Sequence, residues 1–198
     1  MSMETGDIIL TTCGNYFSGT IVPGKLTHCC IFFGKNLKTH IRNYFLSPKN
    51  VTKFYNSGLY DRFGSVAQYI NSHNNTDLYT MNYFRRGAVF VPLTEILERE
   101  RYLVLRTPYL DTPERKAVFN KKIKTHILDD IFKSYFVLPD VILSHNYTYC
   151  FKSGFQIHER IHKELGVDLV NNYSYFMGMP LYLSTTFLSE FDIVFEKN

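Results

Sequence analysis

The chain runs to 198 residues, 45% of them hydrophobic and 20% charged. That length suits one domain with a substantial core, and the composition excludes disordered, collagen-like and coiled-coil classes. Its 22 basic and 18 acidic residues leave a net charge of +4, too small and too scattered to mark a nucleic-acid footprint.

In chain order, Gly6–Thr12 and Lys25–Gly34 are short apolar runs bounded by turn formers, and both predict strands. The composition then turns polar from Lys35 to Thr76, with Pro48, Gly58, Gly64 and the Ser72–Asn75 cluster. Residues 35–76 therefore read as an insertion holding one helix near Val66–Ile70. Leu78–Phe84, Ala88–Val91 and Tyr102–Arg106 predict three more strands, with a turn at Arg85–Gly87 and a short helical piece over Thr94–Glu100. Together these make a five-strand, mostly antiparallel sheet. Thr112-Pro113 opens an amphipathic helix in which Ile123, Ile127 and Ile131 recur at four-residue spacing. A second helix is expected from about Cys150 to Leu165, stopped by Gly166. The C-terminal extension, 170–198, is expected to pack on this core with a last strand over Phe187–Phe195. Strands first and helices later argue for an α+β fold.

Met1–Gly6 carries Glu4 where a secretory leader would be basic and then apolar. The longest uncharged stretch, Leu169–Ser189, is broken by Asn, Gly, Pro and hydroxyl residues, which makes it a poor membrane span. The expected setting is cytoplasmic, with no signal peptide and no transmembrane helix. Cysteines stand at 13, 29, 30 and 150. The adjacent Cys29-Cys30 pair is a poor disulfide framework, so the thiols are expected to be reduced.

Cys150 stands where the loop Asn146–Tyr149 enters a helix. A thiol at a helix N-terminus meets unpaired backbone N–H groups that stabilise its thiolate, although most such cysteines are only small core residues. His28 begins a strand, where a lone histidine is usually structural. In combination, a cysteine at a helix start and a histidine on a sheet match the papain-type nucleophile and base.

With these residues in their chain order, the sequence resembles the circularly permuted papain-like fold of the NlpC-type superfamily, and within it the poxvirus members and bacterial amidase-like relatives. Gly6-Asp7-Ile8-Ile9-Leu10 resembles the family's opening strand, and His28-Cys29-Cys30-Ile31-Phe32-Phe33-Gly34 its His-x-Gly-Ile-x-x-Gly strand. Gly87-Ala88-Val89-Phe90-Val91-Pro92-Leu93 resembles its Gly-Val-x-x-x-Pro-Leu segment, and Tyr102–Arg106 the strand after it. Tyr149-Cys150-Phe151-Lys152, with a helix closing in Leu165-Gly166-Val167-Asp168, is the nearest match. The resemblance implies Cys150 as nucleophile and His28 as general base of a hydrolase or acyltransferase that passes through an acyl-enzyme. It implies no cofactor or metal, and a peptide, amide or acyl-lipid substrate, with contact to a lipid surface left open. A viral protein of this kind would sit in host cytoplasm or virion. The third residue is open among His40, Asn82 and none, because the position where poxvirus relatives carry Glu reads Met81. Asn82, as its strand neighbour, is expected on the opposite face. The alternative is a catalytically impaired binding module of the same fold.

A competing motif, His158-Glu159-Arg160-Ile161-His162, fits the H-E-x-x-H zinc pattern, with Glu190 or Glu196 as the residue that would complete the site. Its bland alternative is a solvated helix face. Arg115, Lys116, Lys121, Lys122 and Lys124 form a basic cluster that reads as the wet side of an amphipathic helix, so nucleic acid is not favoured as a partner. Sequons at Asn50, Asn74, Asn146 and Asn172 read as chance matches in an Asn-rich chain.

Overall fold

The computed structural model describes residues 2–12, 26–84, 87–135, 147–170, 174–176 and 179–197. Six strands build the main sheet: β1 (Ile8–Thr11), β2 (His28–Gly34), β3 (Tyr79–Phe84), β4 (Gly87–Pro92), β5 (Tyr102–Arg106) and β10 (Asp192–Lys197). Their order is β10-β5-β1-β2-β3-β4, and every neighbouring pair is antiparallel. The short strands β6 (Ser134–Tyr135) and β7 (Tyr147–Thr148) pair in parallel, and β8 (Ser174–Phe176) and β9 (Met179–Leu181) pair antiparallel. The protein is thus α+β, and the five predicted sheet strands are joined by a sixth, the last strand expected in the tail but shifted toward the C-terminus. That strand is β10: the tail first forms a short helix, α8 (Ser184–Leu188), and only then pairs with β5.

β1 and β2 lie inside the sheet and are buried on both faces, which explains their unbroken apolar runs. On one face Ile8, Leu10, Cys29, Ile31, Phe33 and Met81 meet the long helices α6 (Pro113–Asp129) and α7 (Cys150–Glu164) and the short α8. On the other, Ile9, Cys30, Phe32 and Val104 pack under Leu93 and Ile96 of α5 (Leu93–Leu97). The strand period of two therefore sorts the adjacent cysteines to opposite faces.

The segment 35–76 departs most from expectation. Instead of one helix it holds four, α1 (Leu37–Phe45), α2 (Pro48–Asn56), α3 (Leu59–Phe63) and α4 (Val66–Asn71). Leu37, Ile41, Phe45, Phe54, Leu59 and Tyr69 all enter the main core. The polar composition belongs to the outer faces of these helices, and their breaks fall at Pro48, Gly58 and Ser65, the last closing a capping box with Gln68.

α6 begins as predicted, with the Thr112 hydroxyl accepting from Arg115 N–H at 3.2 Å. It continues through a 3₁₀ turn at Asp130–Phe132. α7 ends at Gly166, whose φ of 73° is the left-handed conformation glycine favours, with Val167 N–H returning to the His162 carbonyl at 2.9 Å.

The path of α7 over the sheet is set by two contacts. A Cβ added at Gly154 would stand 3.0 Å from Cys29 Sγ and 3.2 Å from the Phe187 ring, so helix and strand approach as closely as a bare backbone allows. One turn on, His158 Nε2 lies 2.8 Å from the Gly6 carbonyl, and Gly6 N–H itself bonds the Phe32 carbonyl. α7 therefore runs along β2 in the same direction. Four helical residues rise about 6 Å, close to two strand residues, so one turn back from Gly154 brings the start of α7 level with the first residues of β2, on the Cys29 face of the strand.

Gly154→Ala should lower unfolding stability by about 1–3 kcal/mol, the usual penalty for overpacking. Adding Cys29→Ala to that variant should return part of the loss. Urea unfolding of the three proteins checks both statements; an unchanged midpoint for Gly154→Ala would remove this contact as the determinant of the helix path.

Candidate functional site

His28 is the first residue of β2 and is 4% exposed. Its Nε2 lies 3.0 Å from Asn82 Oδ1 on β3. The amide orientation of Asn82 is fixed from its other end, where Nδ2 donates to Thr80 Oγ1 at 2.7 Å and reaches the Thr80 carbonyl at 3.4 Å. With Oδ1 turned to the imidazole, Nε2 carries the proton and Nδ1 is the basic nitrogen. Burial pushes the His28 pKa down to about 4; the bond to Asn82 works against that shift and the Arg99 charge adds to it. At neutral pH the ring is therefore the uncharged base.

Asn82, left open as one of three alternatives, is the polar partner of His28. The register explains how. β2 and β3 pair Ile31 with Met81, and continuing that ladder sets Asn82 across from Cys30, diagonal to His28 on the same face. Met81, where the resemblance expects Glu, is fully buried on the face that α7 covers. His40 stands elsewhere, against the Phe33 ring with centroids 5.6 Å apart and with Lys124 Nζ 3.0 Å from its Nε2.

Cys150 opens α7 and is 5% exposed. Tyr149, its N-cap, is extended at φ −134° and makes no side-chain cap hydrogen bond. The Tyr149 hydroxyl instead accepts from Tyr182 N–H at 2.6 Å, which ties the loop before the helix to the tail. Cys29, Cys30 and Cys150 are buried thiols outside any disulfide. Burial raises the first two, and Cys150 adds to the shift of each. By the strand period His28 shares the face of Cys30, whereas α7, which Cys150 opens, covers the face of Cys29. Cys13 lies outside the described residues.

The H-E-x-x-H pair is neither a solvated face nor a shared ligand position. His158 is 1% exposed and His162 is fully buried. His158 Nε2 holds the Gly6 carbonyl, while His162 uses both nitrogens, Nδ1 2.8 Å from the His158 carbonyl and Nε2 2.7 Å from Thr107 Oγ1. Glu190 is engaged by the Tyr109 hydroxyl at 3.0 Å. Among the described residues no group of three or more His, Cys, Asp or Glu could hold a metal ion. The two histidines instead fasten α7 to the strand ends beside β1 and β5.

The basic cluster on α6 is largely committed to local pairs. Lys116 meets Glu4 at 2.9 Å, Arg115 meets Asp111 at 2.9 Å, and Lys122 pairs with Glu164. Among the described residues no helix is long and apolar enough to cross a membrane. The sequons at Asn146 and Asn172 lie outside the described residues, while Asn50 donates to the Tyr44 carbonyl and Asn74 to Asp77.

Comparison with protein-family models, with curated proteins and with solved structures returns no match.

The buried histidines give the fold an acid limit. Burial holds His28 at about 4 and His158 at about 3, against about 6.5 in an unfolded chain. The unfolded state thus binds protons that the native state refuses, and stability falls as pH drops from about 6.5 toward 4. His158→Gln keeps a donor for the Gly6 carbonyl without that proton. Its stability should change less steeply across this window, by up to about 1.4 kcal/mol per pH unit. Chemical denaturation at a series of pH values measures the slope, and equal slopes would contradict the assignment.

Proposed function

We propose that the protein is a cysteine-dependent hydrolase or acyltransferase of permuted papain-like architecture, acting on an amide, thioester or ester through an acyl-enzyme. The observation that carries this reading is the His28–Asn82 pair. A buried imidazole is held neutral, its Nε2–H meets an amide oxygen, and its Nδ1 is the basic nitrogen, on a strand that runs alongside the helix Cys150 opens.

In this mechanism the Cys150 thiol gives its proton to His28 Nδ1 and the sulfur attacks the acyl carbon, forming the S–C bond. The backbone N–H of Cys150, at the positive end of the α7 dipole, helps hold the oxyanion. The imidazolium then protonates the departing amine, alkoxide or thiolate as its bond to the acyl carbon breaks. Water or another acceptor gives a proton to the same nitrogen and attacks the thioester. Cys150 leaves as thiolate and recovers its proton from His28. Asn82 keeps the ring in the tautomer this sequence needs, and the Asn82–Thr80 bond keeps the amide from turning over.

The impaired-module alternative was motivated by Met81 at the Glu position, and Asn82 supplies the polar partner that Met81 cannot.

Incubation with p-nitrophenyl acetate should leave an acyl adduct on the Cys150 peptide in mass spectra. Cys150→Ser and Cys150→Ala should abolish the thioester, and His28→Ala should slow acylation by about 100-fold or more. Equal acylation of Cys150→Ala would refute the nucleophile.

A further inference from the structure

Next to Asn82 on β3 stands Tyr83, and because strand neighbours alternate, its side chain lies on the face that α7 covers. Tyr83 is 3% exposed, and its hydroxyl donates to Asp130 Oδ2 at 2.5 Å and lies against Ser153 Oγ. Ser153 also donates to Asp130 Oδ2, and Lys133 Nζ lies 2.7 Å from Asp130 Oδ1. Asp130 and Ser153 are both fully buried. The cluster joins β3, the 3₁₀ turn after α6, and the first turn of α7.

Such a cluster is an expensive way to join three elements. A buried carboxylate gives up its hydration even when paired, and apolar side chains of similar size often do as well for stability. What directed hydrogen bonds add is a unique geometry. Ser153 follows Cys150 by three residues, about 4.5 Å along the helix axis and about 60° around it. Gly154 sets how near α7 comes to β2, and Ser153 sets how the same turn is rotated against β3.

We propose that Tyr83 and Asp130, acting through Ser153, are positioning residues for Cys150: they fix the rotation of the first turn of α7 and with it the direction of the thiol. This rests on the reading of Cys150 and His28 as nucleophile and base. Neither Tyr83 nor Asp130 contacts substrate in this scheme, and burial together with Asp130 keeps the Tyr83 phenol protonated.

The test uses the full chain and iodoacetamide as probe, with alkylation of Cys150 followed by peptide mass spectrometry as a function of pH. In the native protein the rate should inflect below the ordinary thiol value of about 8.5. Tyr83→Phe, which keeps the ring, should move the inflection upward by about one unit and slow labelling at neutral pH by about tenfold. Ser153→Ala should do the same, and the double variant should lose little more than either, because both act through one network. Urea unfolding of each variant reports stability separately. If both variants lose stability while their alkylation profiles match the native one, the network is structural only and the positioning role is overturned, with the dyad intact. If the native profile itself inflects near 8.5, the dyad reading falls and this proposal with it. Should Tyr83→Phe fail to fold, Ser153→Ala, which removes one oxygen, decides the question alone.

Discussion

The close approach of α7 to β2 is the constraint on which the rest depends. Gly154 has no side chain to separate the helix from Cys29, so the helix rests on the strand, and its direction is then fixed a turn further on by His158 at the Gly6 carbonyl. Because helix and strand run the same way, the start of one comes to the start of the other. A bulky residue at 154 would lift the whole first turn, and the consequence would be felt at the thiol before it was felt in the core.

The polar groups buried around this contact divide by task. His158 and His162 are neutral and spend their hydrogen bonds on carbonyls and on Thr107, so they serve as fasteners. His28 is also neutral, but its bond to Asn82 fixes a tautomer. Tyr83, Asp130 and Ser153 form a third group, in which a buried charge is tolerated because two hydroxyls and Lys133 answer it. In each case an uncompensated group would cost more than the interaction returns, so the network is all or nothing.

Much of the frame was legible in the chain. The buried strands Ile8–Thr11 and His28–Gly34 announce themselves by length and by glycine, and α6 by its Thr112-Pro113 start. The helical segment 35–76 was hidden because its apolar residues are spread over four short helices, each too brief to establish a period. The tail misled for a related reason: Phe187 lies in a helix and Phe195 in a strand, and a continuous aromatic run does not say where one ends. At the candidate site, residue type alone nominates His28 and Cys150, but register was needed to single out Asn82, since only pairing tells which strand neighbour shares a face with the histidine. His158 and His162 illustrate the reverse. A motif that reads as metal chemistry from spacing alone became structural once its hydrogen-bond partners, distant in sequence, were in view. Ser153-Gly154, two small residues one turn into α7, was a signal of close helix–sheet packing that the sequence carried openly.

The central claim is that Cys150 and His28 share a proton. The most direct measurement is nitrogen NMR of the protein with ¹⁵N-labelled histidine, at neutral pH, before and after alkylation of Cys150. The account predicts a neutral His28 ring protonated at Nε2, whose Nδ1 resonance moves when the thiol is blocked while Nε2 stays bonded to Asn82. A His28 ring protonated at Nδ1, or an Nδ1 resonance indifferent to the state of Cys150, would contradict it.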